Sequence, residues 1–412
     1  MSSPLSRLSN DQLTDIIQYL GTNDFKAMRL AGTKAMCLSD PKLTSHLQLR
    51  MDRVPFFCEN NTQFSEEFVR QWLTDRHSLV INDANAKMSP SRVGYLVTNG
   101  FLDSITEITV HDCHRHRTII EILSNLPNVK SLVLIDQGEE QEAIDELEAI
   151  ISHVGNMRSL ESLDVDFTTV VYGSRLSFLR KLQHLKHLRL VGFDLCEGIG
   201  YVGHLVSLQT LHLCHGNFYS SPNDDANEKD LMSLIGLTNI RHVHLEGFDC
   251  LTGVGLGPFG ATGSIRHLAL KHCQELSGEC LTYAGRMTGL ESLHFVMSSC
   301  ECDDIDVFDE ESLQHLNTLS SLKALSLFYV LDDPADLRVL PGLTSLETLN
   351  VALEETLDNE EVENFCREVL QVFPSLRRVR IFSEDSMDCS FQYCGLDVDI
   401  ATFNFGDLVH LD

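Results

Sequence analysis

The chain has 412 residues, 43% of them apolar, and its 60 acidic and 31 basic side chains give a formal net charge of −29. Such a surplus of negative charge argues against nucleic acid or an anionic membrane surface as the principal partner. No apolar run reaches the ~20 residues needed to cross a bilayer, the first residues MSSPLSRLSND hold no apolar signal core, and the 13 cysteines are odd in number without a C-x-x-C pair, so the expected compartment is the reducing cytosol, the nucleus or both.

The first segment, residues 1–53, carries seven Lys/Arg against five Asp/Glu, a net of +2 that leaves −31 for the remainder. Its apolar residues fall at helical spacing. Leu13, Ile16, Ile17 and Leu20 stripe one helix, with Ser9 or Asn10 as N-cap and Gly21 just past its end. Asp24 caps a second helix bearing Phe25, Met28 and Leu30, and the Ser39-Asp40-Pro41 turn leads into a third near Lys42. Taken with Leu8 and Leu43, this order resembles the F-box family, and departs from it at Ser9, where the family has proline, and over the segment Ala31-Gly32-Thr33-Lys34-Ala35. The resemblance implies that Leu8, Leu13, Ile16, Ile17, Leu20, Phe25, Leu30, Pro41 and Leu43 contact a Skp-type adaptor and, through it, a cullin. Read from the residues alone, the same helices could serve only as a lid on the repeats C-terminal to them.

Residues 54–104 read as a linker and a degenerate first repeat. FSEEFVRQWLTDR patterns as a helix around Trp72, HSLVIND as a strand with Leu79 and Ile81 inward, and Ser89-Pro90 as a helix start, with proline at the first helical position.

From 105 to 382 an apolar triplet L-x-x-L-x-L returns eleven times, from Ile105/Ile108/Val110 to Leu376/Val379/Ile381, its middle residue recurring every 23 to 32 positions. The last two triplet positions alternate at the strand period of two, so they face one side together. A single short strand cannot bury that side alone, and stacked parallel strands with a return segment after each can. The chain here resembles leucine-rich repeat proteins, which implies an α/β solenoid, a curved horseshoe of about eleven repeats with a parallel sheet on its concave face. Cys113 and Cys273 stand where that family places Asn or Cys, and the run 273–293 is similar to the cysteine-containing subclass common among F-box proteins. Residues 383–412, with Phe391, Tyr393, Phe403 and Phe405, are expected to close the open sheet edge.

The residues flanking each middle leucine should project from the concave face. They include His187, Arg189, His212, His242, His244, His267 and His294, and strand spacing of ~4.8 Å makes His212 a neighbour of His244 and His242 a neighbour of His267. Polar tiling of a sheet, a protein-recognition surface and a zinc site all remain open readings. Zinc needs three or four convergent ligands, and side chains on parallel strands run side by side, so no metal is expected. Arg378 and Arg380 in the last repeat are either a solvated edge or a clamp for an acidic peptide.

Gly255-Leu256-Gly257-Pro258-Phe259-Gly260 matches the dinucleotide pattern but lacks its strand–turn–helix context, and reads as a glycine-rich return. Without a nucleophile elbow, a P-loop or a paired acid, no catalytic residue and no cofactor are expected. The F-box resemblance then implies the substrate-recognition subunit of a Skp-cullin-F-box type ubiquitin ligase, holding a protein substrate on the concave face. The alternative is a scaffold or an inhibitor of a basic protein, suggested by acidic returns at 139–150, 223–230, 301–311 and 354–365.

Overall fold

The computed structural model describes residues 49–50, 73, 77–81, 89–138, 141–195, 198–215, 231–248, 251–273, 276–297, 308–328, 330–331, 334–352, 359–383 and 389–402. The residues Leu8 to Leu43 expected to contact an adaptor, the helix expected around Trp72 apart from Leu73, the acidic run 223–230, and Phe403 and Phe405 lie outside them. The chain divides into two compact units, Met1–Val171 with Phe178–Gly192, and Tyr172–Ser177 with Phe193–Asp412.

In the first unit the strands β1 (Leu49–Arg50), β2 (Ser78–Ile81), β3 (Glu107–His111), β4 (Ser131–Asp136), β5 (Ser162–Tyr172) and β6 (His187–Asp194) succeed one another in chain order across the sheet. They are parallel, and the leucine frame sets the register: Leu49 opposes Leu79, which opposes Ile108, then Leu132, then Leu163. Because the side-chain period is two, a slip of one residue would turn every leucine to solvent. Leu49 and Arg50 fall inside the stretch whose pattern is helical, so the sheet begins earlier than its sequence pattern shows. Two residues are too few to display an alternation.

The second unit repeats the scheme with β7 (Thr210–His215), β8 (His242–Glu246), β9 (His267–Lys271), β10 (Ser292–Val296), β11 (Ala324–Phe328), β12 (Thr348–Ala352) and β13 (Arg378–Ser383). Their middle residues run Leu211, Val243, Leu268, Leu293, Leu325, Leu349 and Val379 in one line. Two further strands, β14 (Cys389–Tyr393) and β15 (Leu396–Thr402), then close it. β15 joins β13 in parallel, and β14 pairs antiparallel on its outer side. The expected edge closure is thus a hairpin that extends the sheet and leaves β14 outermost.

All eleven triplets are buried, their most exposed member being Leu376 at 6%. Return segments pack on that leucine side and differ in form from repeat to repeat. Where the spacing stretches to 31 and 30 residues, amphipathic helices Gln141–Val154 and Asn359–Val372 fit, and the shorter repeats carry single turns such as Glu279–Ala284 or Pro334–Val339. Pro90–Thr98 starts after Ser89 with proline in its first turn, as the sequence predicts. The glycine-rich segment forms a turn, Val254–Leu256, and a short helix, Gly257–Thr262, so it is a return. Each unit is α/β, in the leucine-rich repeat arrangement. Among the described residues no helix is long and apolar enough to cross a membrane.

Cys113 and Cys273, the two cysteines at the family's Asn/Cys position, are fully buried. The Cys273 thiol donates to the Lys271 carbonyl at 3.4 Å. Cys113 donates to a carboxylate oxygen of buried Asp136 at 3.5 Å, and Asp136 also accepts the His114 backbone N–H at 2.8 Å and the Gly138 N–H at 3.0 Å. Burial, and after it the nearby Asp136 charge, drives the Cys113 thiol far above its ordinary pKa, so it stays protonated and inert. The ligand-rich run His111–His116 is a structural corner.

Candidate functional site

Residues on either side of a buried middle leucine turn to the opposite, open face of the sheet. In the second unit the parallel registers arrange them in rows. Thr210, His242, His267 and Ser292 form the first row, and His212, His244, Ala269 and His294 the second. Cys214, Glu246, Lys271 and Val296 form the third.

The neighbours expected from strand spacing touch. The rings of His212 and His244 stack with centroids 3.9 Å apart and planes within 8°, and those of His242 and His267 stack at 4.4 Å and 24°. Glu246 completes the first pair: its Oε2 lies 3.2 Å from His244 Nε2 and 4.0 Å from His212 Nε2. Burial alone would raise the Glu246 pKa. The hydrogen bond with His244 and the charges of His244, His272 and Lys271 outweigh it and hold the carboxyl below its ordinary value. Glu246 is not one of the two residues beside a middle leucine, so the flanking rule does not name it. A carboxylate two positions after His244 nevertheless shares its face by the same alternation.

His294 departs from expectation. It is 8% exposed, its ring held between Ser292 Oγ at 2.5 Å and Ser326 Oγ at 2.6 Å, while Asn350 Nδ2 donates to the same Ser326 oxygen at 2.9 Å. In the next row Val296, Phe328, Ala352 and Phe382 are all buried, and the Phe328 and Phe382 rings lie 5.1 Å apart. His294 therefore belongs to an interior polar ladder across β10–β12, where burial obliges each polar group to find a partner, and not to an accessible surface.

The Arg378–Arg380 pair faces carboxylates of the chain itself. β15 sets Asp397 and Asp399 opposite them, with Arg380 Nε 3.6 Å from Asp399 Oδ2, while Arg378 is exposed, as in the solvated edge that the sequence offered.

In the first unit His187 is exposed and Arg189 is engaged. The Arg189 Nη1 donates to Asp164 Oδ1 and Asp166 Oδ2, both at 2.9 Å. Burial alone would lower the Arg189 pKa, and the two carboxylates reverse it to a net rise. Asp164 and Asp166 occupy open-face positions of β5, which the same period of two identifies.

A second ladder runs along the residues that precede the strands. Glu161 lies 3.0 Å from Lys130 and 2.6 Å from Lys186, and Glu291 lies 2.6 Å from Lys323 and 4.0 Å from Arg266. The Lys186 hydrogen bond, then that of Lys130, lower the Glu161 pKa from 4.5 to about 2. Since the folded value is the lower one, this carboxylate stabilises the fold above pH ~4.5 and that contribution fades as the pH falls toward about 2. Glu161→Gln is thus expected to lower the melting temperature at pH 7, by a difference that narrows as the pH falls through 4.5 and closes only below about 2. Thermal melts across that range check it, and a constant difference between the two proteins would refute the linkage.

Three metal-ligand types, His212, His244 and Glu246, place one donor atom each within 4.8 Å of one another. Side chains do converge at this point, against the sequence expectation, because the carboxylate reaches across from the third row. The residues Leu8 to Leu43 that the resemblance assigns to adaptor contact stand apart from these findings, outside the described residues.

No protein-family model matches the chain, and no curated protein matches it. Among solved structures, the crystal structure of the Rad7 and Elc1 complex in yeast is similar, with a TM-score of 0.41 and 15% sequence identity over 94% of this chain and 90% of that chain.

Proposed function

We propose that the chain is the substrate-recognition subunit of a Skp-cullin-F-box type ubiquitin ligase and performs no bond chemistry itself. The observation that carries this reading is the order of parts: an F-box-like series from Leu8 to Leu43 precedes leucine-rich repeats whose open face offers polar side chains in rows. In this reading the helical head binds the adaptor through Leu13, Ile16, Ile17, Leu20 and their apolar neighbours. In the second unit His212, His242, His244 and His267 form a surface that meets a protein substrate, and in the first unit His187 and the Arg189 cluster offer an open-face contact of their own. Stacked imidazoles supply donors, acceptors and flat apolar area together. His294, Arg378 and Arg380 are left out of that surface.

Adaptor binding tests it. Purified chain is expected to bind a Skp-type adaptor, and Leu13→Asp with Ile17→Asp to weaken that binding by at least about a hundredfold, because two charges on an apolar contact stripe must be buried without partners. A wild-type chain that does not bind adaptor removes the ligase reading. The net charge of −29 and the acidic helices Gln141–Val154 and Asn359–Val372 favour a second reading in that event, capture of a basic protein, whose mark would be steep weakening with salt.

A further inference from the structure

We propose that His212, His244 and Glu246 bind one divalent transition-metal ion on the open face of the second unit, zinc being the ion this donor set fits best. The three come from two adjacent strands: His212 of β7 opposes His244 of β8 directly, and Glu246 returns to the same face two residues later. Their donor atoms all lie within 4.8 Å of one another. Zinc holds imidazole nitrogen and carboxylate oxygen at about 2.0–2.2 Å, which for a tetrahedral ion separates two ligand atoms by ~3.3 Å. His244 Nε2 and Glu246 Oε2, 3.2 Å apart, already span that distance, and His212 Nε2 is 4.0 Å from the same oxygen.

The missing motion is small and specific. Each imidazole lone pair lies in its ring plane, and the two rings are stacked within 8° of parallel, so at least one must turn for both to meet a common ion. His212 can do so by rotation about its Cβ–Cγ bond, a broad torsion, since its side chain is 25% exposed. On the far side of His244 the β9 position is Ala269, which leaves room for the tilt. Two nitrogens, one oxygen and no thiolate select zinc and its neighbours in the transition series over calcium or magnesium, which favour all-oxygen sets. Three protein ligands leave a fourth position toward solvent, for water or for a donor of a docked protein.

The surroundings set the strength. Lys271 stands opposite Glu246 in β9, an ammonium that competes for the carboxylate, so the expected affinity is on the order of micromolar and far below that of a four-ligand structural site. The ligand-type cluster at Asp136 differs in kind. Its carboxylate is 1% exposed and already engaged with the Cys113 thiol, the His114 ring and two backbone N–H groups, which closes it to an ion. The ion site stands whether or not the chain recruits a ligase.

Full-length protein stripped with chelator is titrated with zinc chloride by calorimetry, and with cobalt(II) while the visible ligand-field absorption is monitored. The expected result is one bound equivalent and a cobalt spectrum of low coordination number. His212→Ala and Glu246→Gln should each weaken binding by at least about tenfold. His242→Ala and His267→Ala, in the other stacked pair on the same face, should leave it unchanged. Glu246→Gln is nearly isosteric, and a melting temperature for each variant separates loss of binding from loss of fold. Absence of zinc binding overturns the proposal, as does binding that survives both His212→Ala and Glu246→Gln or falls equally in His242→Ala.

Discussion

Replacing Leu325 with alanine in β11 is expected to lower the unfolding free energy by about 2–5 kcal/mol, while Ser321→Ala, four residues earlier on an exposed turn, should change it by less than about 0.5 kcal/mol. Leu325 is completely buried and stands between Leu293 of β10 and Leu349 of β12. Both neighbours are fixed by backbone hydrogen bonds, so the void left by the lost side-chain carbons cannot be refilled by sliding a strand. The site can collapse only through rotamer changes of leucines that are already packed, which places it toward the costly end of such substitutions. Stacked repeats also couple to their neighbours, and a weakened rung loosens the contacts above and below it. Urea denaturation monitored by circular dichroism measures the effect. Equal midpoints for the two variants would show that the ladder does not carry the core.

The ladder is legible in the sequence for a plain reason. A parallel stack repeats one register, so a period of two within each strand and 23 to 32 residues between strands suffice to place Leu325, its partners and even the contact of His212 with His244. What alternation cannot say is whether anything covers the other face. His294 and His244 occupy equivalent positions and one is buried while the other is partly exposed. The signal lies one row further along. Val296, Phe328, Ala352 and Phe382 are apolar where β8 and β9 carry Glu246 and Lys271, and a run of apolar residues on a supposedly open face marks a covered region. Arg380 escapes the pattern for another reason, since its partner Asp399 comes from a strand beyond the last leucine triplet, joined through the short β14–β15 hairpin. Glu246 is within reach of the alternation rule once that rule is carried one position past the leucine flanks. Carboxylates shape the open face as much as rings do: Asp164 and Asp166 fix the direction of Arg189, and Glu246 turns a stacked pair into a convergent set of donors.

Gly192→Ala in β6 is expected to cost roughly 2–4 kcal/mol, and Gly263→Ala only about 1 kcal/mol, although both glycines sit at positive φ, +81° and +61°. The difference isolates sterics from backbone preference. At Gly263 a new Cβ meets nothing within 4 Å, so only the left-handed conformation is penalised. At Gly192 the same atom would press into the backbone carbonyl oxygen of Phe167 in β5, and a carbonyl held in a sheet cannot step aside as a side chain would. Relief requires β5 and β6 to part, at about 0.5–1.5 kcal/mol for each ladder hydrogen bond that is lost. The strain reaches the open face, because Asp166 precedes Phe167 and Arg189 lies three residues before Gly192. Parting the strands draws Arg189 away from both aspartates, now 2.9 Å from it. In Gly192→Ala, then, the melting temperature should fall and the penalty for a further Arg189→Ala should shrink relative to wild type, since its ion pairs are already weakened. If Gly192→Ala and Gly263→Ala prove equally mild, the β5–β6 contact yields without cost and the coupling of Gly192 to Arg189 fails.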